Sequence, residues 1–256
     1  MTNSYGDHLE TEQKYDAGAD FALPELGSLP GLSGRRPQSK RHYLSATYFD
    51  TEDFDLNQNR ITLRRRVGGT DEGWHLKLPV RKDTRQELHA PLDDGPDGVV
   101  PARLAARVQD ITAGRRLRPI AILDTERTVV TLTGKSGEPL VEVADDRVTA
   151  TQFGRTGEEP MTWREIEVEV VAEGEEEEKQ ASQLLEEVGR VLREAGAARS
   201  TSGSKLGRLL QSLLIASPEV PDTLLTLAGN VRGDLRSRVG ILGTESMAPD
   251  DDHERA

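Results

Sequence analysis

The segment LETEQK, residues 9–14, has the alternating pattern that decides the fold class. Side chains of a β-strand point to opposite faces in turn, so Glu10, Glu12 and Lys14 share one face of this segment. A single charged stripe is usually the solvated side of a sheet. It gains weight here because later segments repeat the pattern, with charged side chains on one face and aliphatic side chains on the other.

Seven further segments have the composition or the alternation of strands, with turn signals between them. The segment WREIEVEVV, residues 163–171, shows the clearest alternation, because Glu165, Glu167 and Glu169 share one face. Arg64 and Arg66 share a face in the same way. The predicted strands cover residues 9–14, 43–51, 61–67, 74–78, 85–87, 121–132, 140–148 and 163–171.

Outside these strands, the sequence predicts four helices. Residues 20–32 are expected to form a short helix with breaks at Pro24 and Pro30. Apolar side chains at helical spacing predict three longer helices. They cover residues 101–112, about 175–196 and 204–214.

Composition limits the classes of function. The net charge of −12 argues against a general nucleic-acid-binding protein, because phosphate backbones need a surplus of Lys and Arg. A phosphate ligand in a concentrated basic pocket remains compatible with it. The absence of cysteine excludes disulfides and thiolate metal sites. The five histidines show no metal-ligand spacing and are interpreted as surface or packing residues.

Length and hydropathy suggest how the 256 residues are organised. They suffice for one large domain, which we expect over residues 8–214. Residues 215–242 read as a linker and a short helix, and residues 243–256 as a disordered acidic tail. We find neither an apolar run of transmembrane length nor a signal-peptide pattern, so we expect a cytoplasmic protein without a membrane partner.

Eight strands with short links predict an α+β protein, mainly antiparallel β, that closes or nearly closes into a barrel. Its charged faces are sorted by sign. Neighbouring carboxylates repel each other unless cations neutralise them, and Mg²⁺ prefers carboxylate oxygens. A barrel that combines both faces in its lumen would bind a metal–polyphosphate complex. The alternative is a half-open sheet with solvated charged faces, and periodicity alone favours this alternative.

A series of motifs resembles one known family. The residues ETEQK at 10–14 are similar to the ExExK motif that opens the CYTH domain, found in CyaB-type adenylate cyclases and thiamine triphosphatases. Members are also called triphosphate tunnel metalloenzymes. The ordered series over residues 8–214 is specific and favours the barrel over the open sheet. The match continues through YFDT at 48–51, LRRR at 63–66, WHLKLP at 74–79, RQE at 85–87, Arg127, residues 142–146, EIEVE at 165–169 and SK at 204–205.

The resemblance implies an eight-stranded closed, tunnel-like barrel with flanking helices, whose lumen hydrolyses inorganic triphosphate with Mg²⁺ or Mn²⁺. The implied catalytic residues are Lys14, Lys77 and Arg127. The implied triphosphate-binding residues are Arg64, Arg66, Arg85, Lys205 and Arg208. The implied metal ligands, which would also position a water, are Glu10, Glu12, Asp146, Glu165, Glu167 and Glu169.

Two departures from the family pattern bear on this expectation. The pair Asp145-Asp146 leaves the aligned acid ambiguous, and we prefer Asp146 because it shares a strand face with Glu142. The residues LDTE at 123–126 lack an arginine that many members carry there, which leaves one phosphate contact unfilled.

Other functions stay open at this point. An adenylate cyclase of the same fold would need a nucleoside pocket, and a nucleoside or thiamine triphosphatase is a further alternative. A non-catalytic polyphosphate-binding module is the third, because some bacterial CYTH proteins continue into a helical domain called CHAD. Residues 224–239 resemble the start of such a domain. Both a monomer and a homodimer are compatible with the sequence.

Overall fold

A computed structural model describes residues 7–153 and 159–216, and one sheet that closes on itself dominates it. The strands are β1 (Asp7–Ala17), β2 (Ser39–Asp50), β3 (Thr62–Val67), β4 (Gly73–Arg81), β5 (Thr84–Ala90), β6 (Arg118–Thr133), β7 (Pro139–Gln152), β8 (Met161–Val170) and β9 (Ala198–Arg199). The helices are α1 (Asp55–Gln58), α2 (Ala102–Arg107), α3 (Gln109–Thr112), α4 (Glu175–Glu194) and α5 (Lys205–Ala216).

The first eight strands form a closed antiparallel barrel. Their order around the sheet is β5-β4-β3-β2-β6-β7-β8-β1, and β1 closes it by pairing with β5 from Asp7↔Leu88 to Thr11↔Thr84. The second half of β1 pairs with β8, while the two-residue β9 adds to β1 at Tyr15 and Asp16. The prediction of an eight-stranded closed barrel with flanking helices is therefore confirmed, and closure gives each strand an inner and an outer face.

Helices cover two apolar regions on the outside of the barrel. The apolar stripe of α4, including Leu184, Leu185 and Val188, packs against the outer residues of β7, β8 and β1. Helices α1 to α3 cover the outer side of β3 and β4 around Leu63 and Trp74. The aliphatic faces are thus buried on the outside, which leaves the charged faces to point into the lumen.

Helix α5 closes one end of the barrel. Its Leu206, Leu209 and Leu210 pack against inward-facing apolar residues at that end, including Leu123 of β6 and Val148 of β7. These strand residues lie on the same faces as the charged residues farther along, because inward positions recur every second residue. The lumen is therefore apolar where α5 sits and charged beyond it.

One helix prediction is wrong and a second is confirmed only in part. Residues 20–32 form turns and irregular chain rather than a helix, because Pro24 and Pro30 supply no N–H donors and disfavour helical backbone before them. Their apolar side chains still pack on the core, with Leu26 and Leu32 buried. Residues 101–112 form two short helices that meet at Val108, whose φ of −118° is not helical.

The segments proposed as a linker and an acidic tail lie outside the described residues, apart from the end of α5. No helix in the described ranges combines the length and the apolar character needed to cross a membrane.

Candidate active site inside the barrel

The barrel encloses a cavity of about 450 Å³. Residues from every strand of the barrel except β7 line it, together with the β3–β4 loop and the start of α5. Most of the site residues predicted from the sequence are among them. Those that line the cavity are Glu10, Glu12, Lys14, Arg64, Arg66, Lys77, Arg85, Arg127, Glu167, Glu169 and Lys205.

Among the described residues, three carboxylates lie close enough together to hold one metal ion, and we call them the carboxylate trio: Asp146 of β7 with Glu165 and Glu167 of β8. One ligand oxygen from each lies within 4.8 Å of the others. Asp146 and Glu165 are buried, and Glu167 is partly buried and reaches the cavity. The register explains the grouping, because Asp146 pairs directly with Glu165 across the two strands.

Three cations neutralise the trio. Arg127 donates from Nε to Asp146 Oδ1 at 2.8 Å and from Nη2 to Asp146 Oδ2 at 2.6 Å, and it also contacts Glu167. Lys14 donates to Glu167 and to Glu12, the latter at 2.7 Å. Lys205 Nζ lies 2.7–2.8 Å from one oxygen of each trio member.

These cations decide the charge of the trio. Burial alone would raise the pKa of Asp146, but the charges of Arg127 and Lys205 outweigh it and lower the pKa below the ordinary value. For Glu167 burial is likewise outweighed, by Lys14, Lys205 and Arg127, and its pKa falls well below the ordinary value. Both carboxylates are therefore ionised at neutral pH and available to a cation.

The donor set of the trio fits a hard divalent cation. Carboxylate oxygens are the ligands that Mg²⁺ prefers, and three of them converge here. Within the described residues, the buried Oε1 of Glu165 accepts no hydrogen bond, and its 2.8 Å contact with Lys205 Nζ is an ion pair only. Glu165 Oε2 accepts a hydrogen bond from Trp163 Nε1 at 2.6 Å, which fixes the side chain.

A second charged group lies farther along the lumen. Lys77 binds the carboxylate of Glu10 and lies 3.5 Å from Glu87 Oε2. Burial opposes the charge of Lys77, but Glu87 and Glu10 raise its pKa above the ordinary value. His75 Nδ1 lies 2.6 Å from Glu87 Oε1. Burial, with the charges of nearby arginines, lowers the pKa of His75 to about 3, so the ring is neutral at pH 7.

Glu169 has a different environment from the other predicted metal ligands. Burial, followed by the negative charges of Glu10 and Glu12, raises the pKa of Glu169 to about 8. Lys77 opposes this shift but does not cancel it. In the absence of a bound cation, Glu169 is therefore protonated at neutral pH.

Two arginines of β3 point into the cavity with unused hydrogen-bonding capacity. The Nε atoms of Arg64 and Arg66 are buried and have no hydrogen-bond partner among the described residues. Burial, with the charges of Arg64 and Arg127, lowers the pKa of Arg66 to about 9. Burying a guanidinium N–H without an acceptor costs free energy. An anionic ligand that accepts a hydrogen bond from this N–H offsets the cost, so these two arginines favour an anion.

The structure separates the two aspartates that the sequence left ambiguous. Asp146 lies in the trio, as preferred. Asp145 points to the outer side, where Arg164 binds it through two hydrogen bonds of 2.8 and 2.7 Å. Arg164 also donates hydrogen bonds to the carbonyl oxygens of Ala19 and Phe21, in the segment that follows β1.

Arg208, predicted to bind phosphate, does not line the cavity. Its guanidinium binds Asp16 and lies over the ring of Trp163, 5.3 Å from the ring centroid. Arg208 follows Lys205 by three residues on α5, so both lie on one side of the helix. Only Lys205, at the first turn, reaches the lumen.

Several lining residues were missed by the sequence reasoning. Glu87 follows Arg85 at the strand period, and this alternation was the available signal. The interpretation of the histidines as surface or packing residues missed that His75 and His89 line the cavity. Tyr48 and Ser204 stand inside matched motifs but carry no charge to single them out. The missed lining residues are Tyr48, Thr62, Thr70, Asp71, His75, Glu87, His89 and Ser204.

Comparison with known proteins shows the family of the chain. The model of the CYTH domain matches residues 8–201. The chain belongs to the CYTH domain family. Two curated relatives, the uncharacterized proteins Rv2226 and MT2285 of Mycobacterium tuberculosis, are each 40% identical over 212 residues. The match covers 79% of this chain and 40% of each relative, so the chain spans less than half of their length.

Solved structures share the CYTH fold at low sequence identity. A Bacillus halodurans protein described as a candidate adenylate cyclase has a TM-score of 0.51 at 17% identity, covering 79% of this chain and 98% of that one. A Hippeastrum protein, described as a candidate adenylyl cyclase with a dominant triphosphatase activity, has a TM-score of 0.39 at 16% identity. It covers 84% of this chain and 98% of that one. The first likeness supports the barrel fold alone, and the second is too distant to support an argument.

Proposed function

We propose that this CYTH chain hydrolyses inorganic triphosphate to pyrophosphate and phosphate inside the barrel, with a bound Mg²⁺ or Mn²⁺. One observation carries the proposal: basic side chains from five strands and α5 converge on a cavity of about 450 Å³ beside the carboxylate trio. A linear triphosphate is a compact polyanion, and a cavity lined by several cations would neutralise its charge. The converging cations are Lys14, Arg64, Arg66, Lys77, Arg85, Arg127 and Lys205.

The reaction is a hydrolysis of a phosphoanhydride. The oxygen of a water forms a bond to the terminal phosphorus, and the bond from that phosphorus to its bridging oxygen breaks. The electron pair stays on pyrophosphate, and product oxygens take up the proton that the water loses. Most of the catalysis then comes from positioning and from neutralising charge on the phosphate oxygens.

The basic residues divide into two proposed roles. Contact with a carboxylate of the site does not separate the two roles, because Lys205 makes such contacts as well. Lys14, Lys77 and Arg127 are the residues that the family resemblance implies as catalytic, and each binds a carboxylate of the site and faces the cavity. We assign them to the transition state. The other cavity-facing cations, including Arg64 and Arg66 with their unsatisfied Nε atoms, would hold the substrate oxygens.

The acidic residues fit a divalent cation, as the donor set of the trio indicates. When bound, such a cation polarises the phosphoryl group and lowers the pKa of a coordinated water. The residues that would hold it are Glu10, Glu12, Asp146, Glu165, Glu167 and Glu169.

Phosphate release from three substrates in parallel tests the proposal: inorganic triphosphate, ATP and thiamine triphosphate, each with and without Mg²⁺ or Mn²⁺. We expect metal-dependent turnover that prefers inorganic triphosphate and that Glu167→Gln lowers by at least about 100-fold, because it removes a carboxylate of the trio. Cyclic AMP formed from ATP would instead support a cyclase. Binding of triphosphate without any turnover would favour a non-catalytic polyphosphate-binding module and contradict the proposal.

A further inference from the structure

Lys205 occupies the centre of the carboxylate trio. Its Nζ lies 2.8 Å from Asp146 Oδ2, 2.8 Å from Glu165 Oε1 and 2.7 Å from Glu167 Oε1. Arg127 and Lys14 also neutralise the trio, but neither contacts Glu165 among the ion pairs described. Lys205 is therefore the one described cation that bridges all three members.

The space between these oxygens suffices for one cation. One oxygen from each member lies within 4.8 Å of the others, and the ammonium lies within 2.8 Å of an oxygen of each, so an ion bound by all three carboxylates would lie close to the position of the ammonium. A divalent cation and an ammonium a few ångströms apart repel each other strongly in a buried site. The two cannot share the trio.

We infer that the Lys205 ammonium is a built-in counter-ion that a divalent cation must displace from the carboxylate trio, and this inference rests on the proposed function of the site. Displacement would leave the ammonium free to turn into the cavity, which Lys205 and Ser204 already line. There it would meet phosphate oxygens. Loading of the cation would thus complete the anion-binding wall, and by linkage each ligand would favour the other.

The position of Lys205 on α5 makes the exchange a property of the fold. Lys205 is the first residue of α5, and Ser204 Oγ accepts the Gly207 N–H at 3.0 Å, which fixes the start of the helix. The neighbouring Leu206 is buried against the inner wall. With the backbone held, the flexible side chain of Lys205 can exchange partners while α5 stays in place.

Direct measurement of metal binding without substrate tests the inference. Purified full chain is titrated with MnCl₂, and free Mn²⁺ is followed by its electron paramagnetic resonance signal. If the ammonium leaves the trio unoccupied less than about a tenth of the time, the apparent affinity of the trio for Mn²⁺ is weakened at least about tenfold. We therefore expect Lys205→Met to bind Mn²⁺ at least about tenfold more tightly than the wild type.

The matched control is Arg208→Met, which removes one positive charge from the same helix. Arg208 pairs with Asp16 and does not line the cavity. The Mn²⁺ affinity of this variant should match that of the wild type. Equal or weaker Mn²⁺ binding by Lys205→Met would overturn the inference, as would an equal gain in Arg208→Met, which would reveal a general charge effect.

A second variant protects the test against misfolding. Lys205→Gln keeps a hydrogen-bond donor in the trio, and Mn²⁺ should raise its thermal midpoint more than it raises that of the wild type. An equal or smaller rise contradicts the inference. These readouts are independent of turnover: a protein that releases no phosphate but gains affinity in Lys205→Met supports the inference while the proposed hydrolysis fails. If the wild type hydrolyses triphosphate but Lys205→Met gains no affinity for Mn²⁺, the proposed hydrolysis is supported and the inference about Lys205 fails.

Discussion

At the scale of single residues, neighbouring side chains of one strand have unrelated tasks. Asp145 binds Arg164 on the outside of β7, whereas Asp146 belongs to the trio inside. We predict that Asp146→Asn lowers triphosphate hydrolysis by at least about 100-fold, because it removes a proposed ligand of the cation. Initial rates of phosphate release with Mg²⁺ measure this.

Asp145→Asn is the matched control for that variant. It should keep rates near those of the wild type but lower the free energy of unfolding by about 1–3 kcal/mol, because the buried Arg164 loses its charged acceptor. Urea unfolding measures this loss. A large loss of rate in Asp145→Asn, or none in Asp146→Asn, would contradict the assignment of the two faces.

Glu169 gives a pH-dependent prediction. Its pKa is about 8 in the folded protein and near 4.5 in the unfolded chain. Between these values the folded state holds the proton that the unfolded state has lost, so stability falls as pH rises from about 4.5 to 8. In EDTA, Glu169→Gln should therefore raise the thermal midpoint more at pH 8.5 than at pH 5. A change in midpoint that is the same at both pH values would be inconsistent with the raised pKa.

At the scale of elements, α5 both closes one end of the barrel and supplies Lys205. Leu209 of α5 is only 2% exposed and packs on the inner wall. Leu209→Ala should lower the free energy of unfolding by about 2–5 kcal/mol, because it removes buried methyl groups and leaves a cavity. Urea unfolding checks this, and a loss below about 1 kcal/mol would show that α5 is not firmly docked.

Elements were predictable from the sequence where one physical signal dominated. The strict alternation in β8 and β1 predicted both strands and their charged faces, because the side chains of a strand that point into the barrel recur at every second residue. The prediction for residues 20–32 was wrong because the spacing of Phe21, Leu23, Leu26 and Leu29 indicated a helix. Pro24 and Pro30 provide no backbone N–H donor and prevent a regular helix there. Loop residues that the fold brings to the lumen, such as Thr70 and Asp71, follow no strand alternation and could not be predicted as lining residues from the sequence.

At the scale of the whole molecule, the cavity is richer in cations than the rest of the chain. The chain carries a net charge of −12, whereas the cavity lining has seven lysines and arginines against six aspartates and glutamates. Triphosphate with its cation should therefore bind to the folded state alone and stabilise it by mass action. At 100 times the dissociation constant the gain is about 2.7 kcal/mol, which raises the thermal midpoint by roughly 5–10 °C for a domain of this size.

Thermal unfolding with Mg²⁺ and with a slowly hydrolysed triphosphate analogue, imidotriphosphate, measures this gain. Orthophosphate at equal ionic strength is the control, and it should shift the midpoint less because it cannot span the cavity. Equal shifts from both anions would indicate general salt stabilisation rather than a built site.

The central claim is that the barrel cleaves a phosphoanhydride of inorganic triphosphate. ³¹P nuclear magnetic resonance of triphosphate incubated with the full chain and Mg²⁺ tests it most directly, with Glu165→Gln in parallel. We predict that pyrophosphate and phosphate appear in equal amounts at a rate that the variant lowers by at least about 100-fold. Triphosphate that stays intact with the wild type, or that is cleaved equally fast by the variant, would contradict the account.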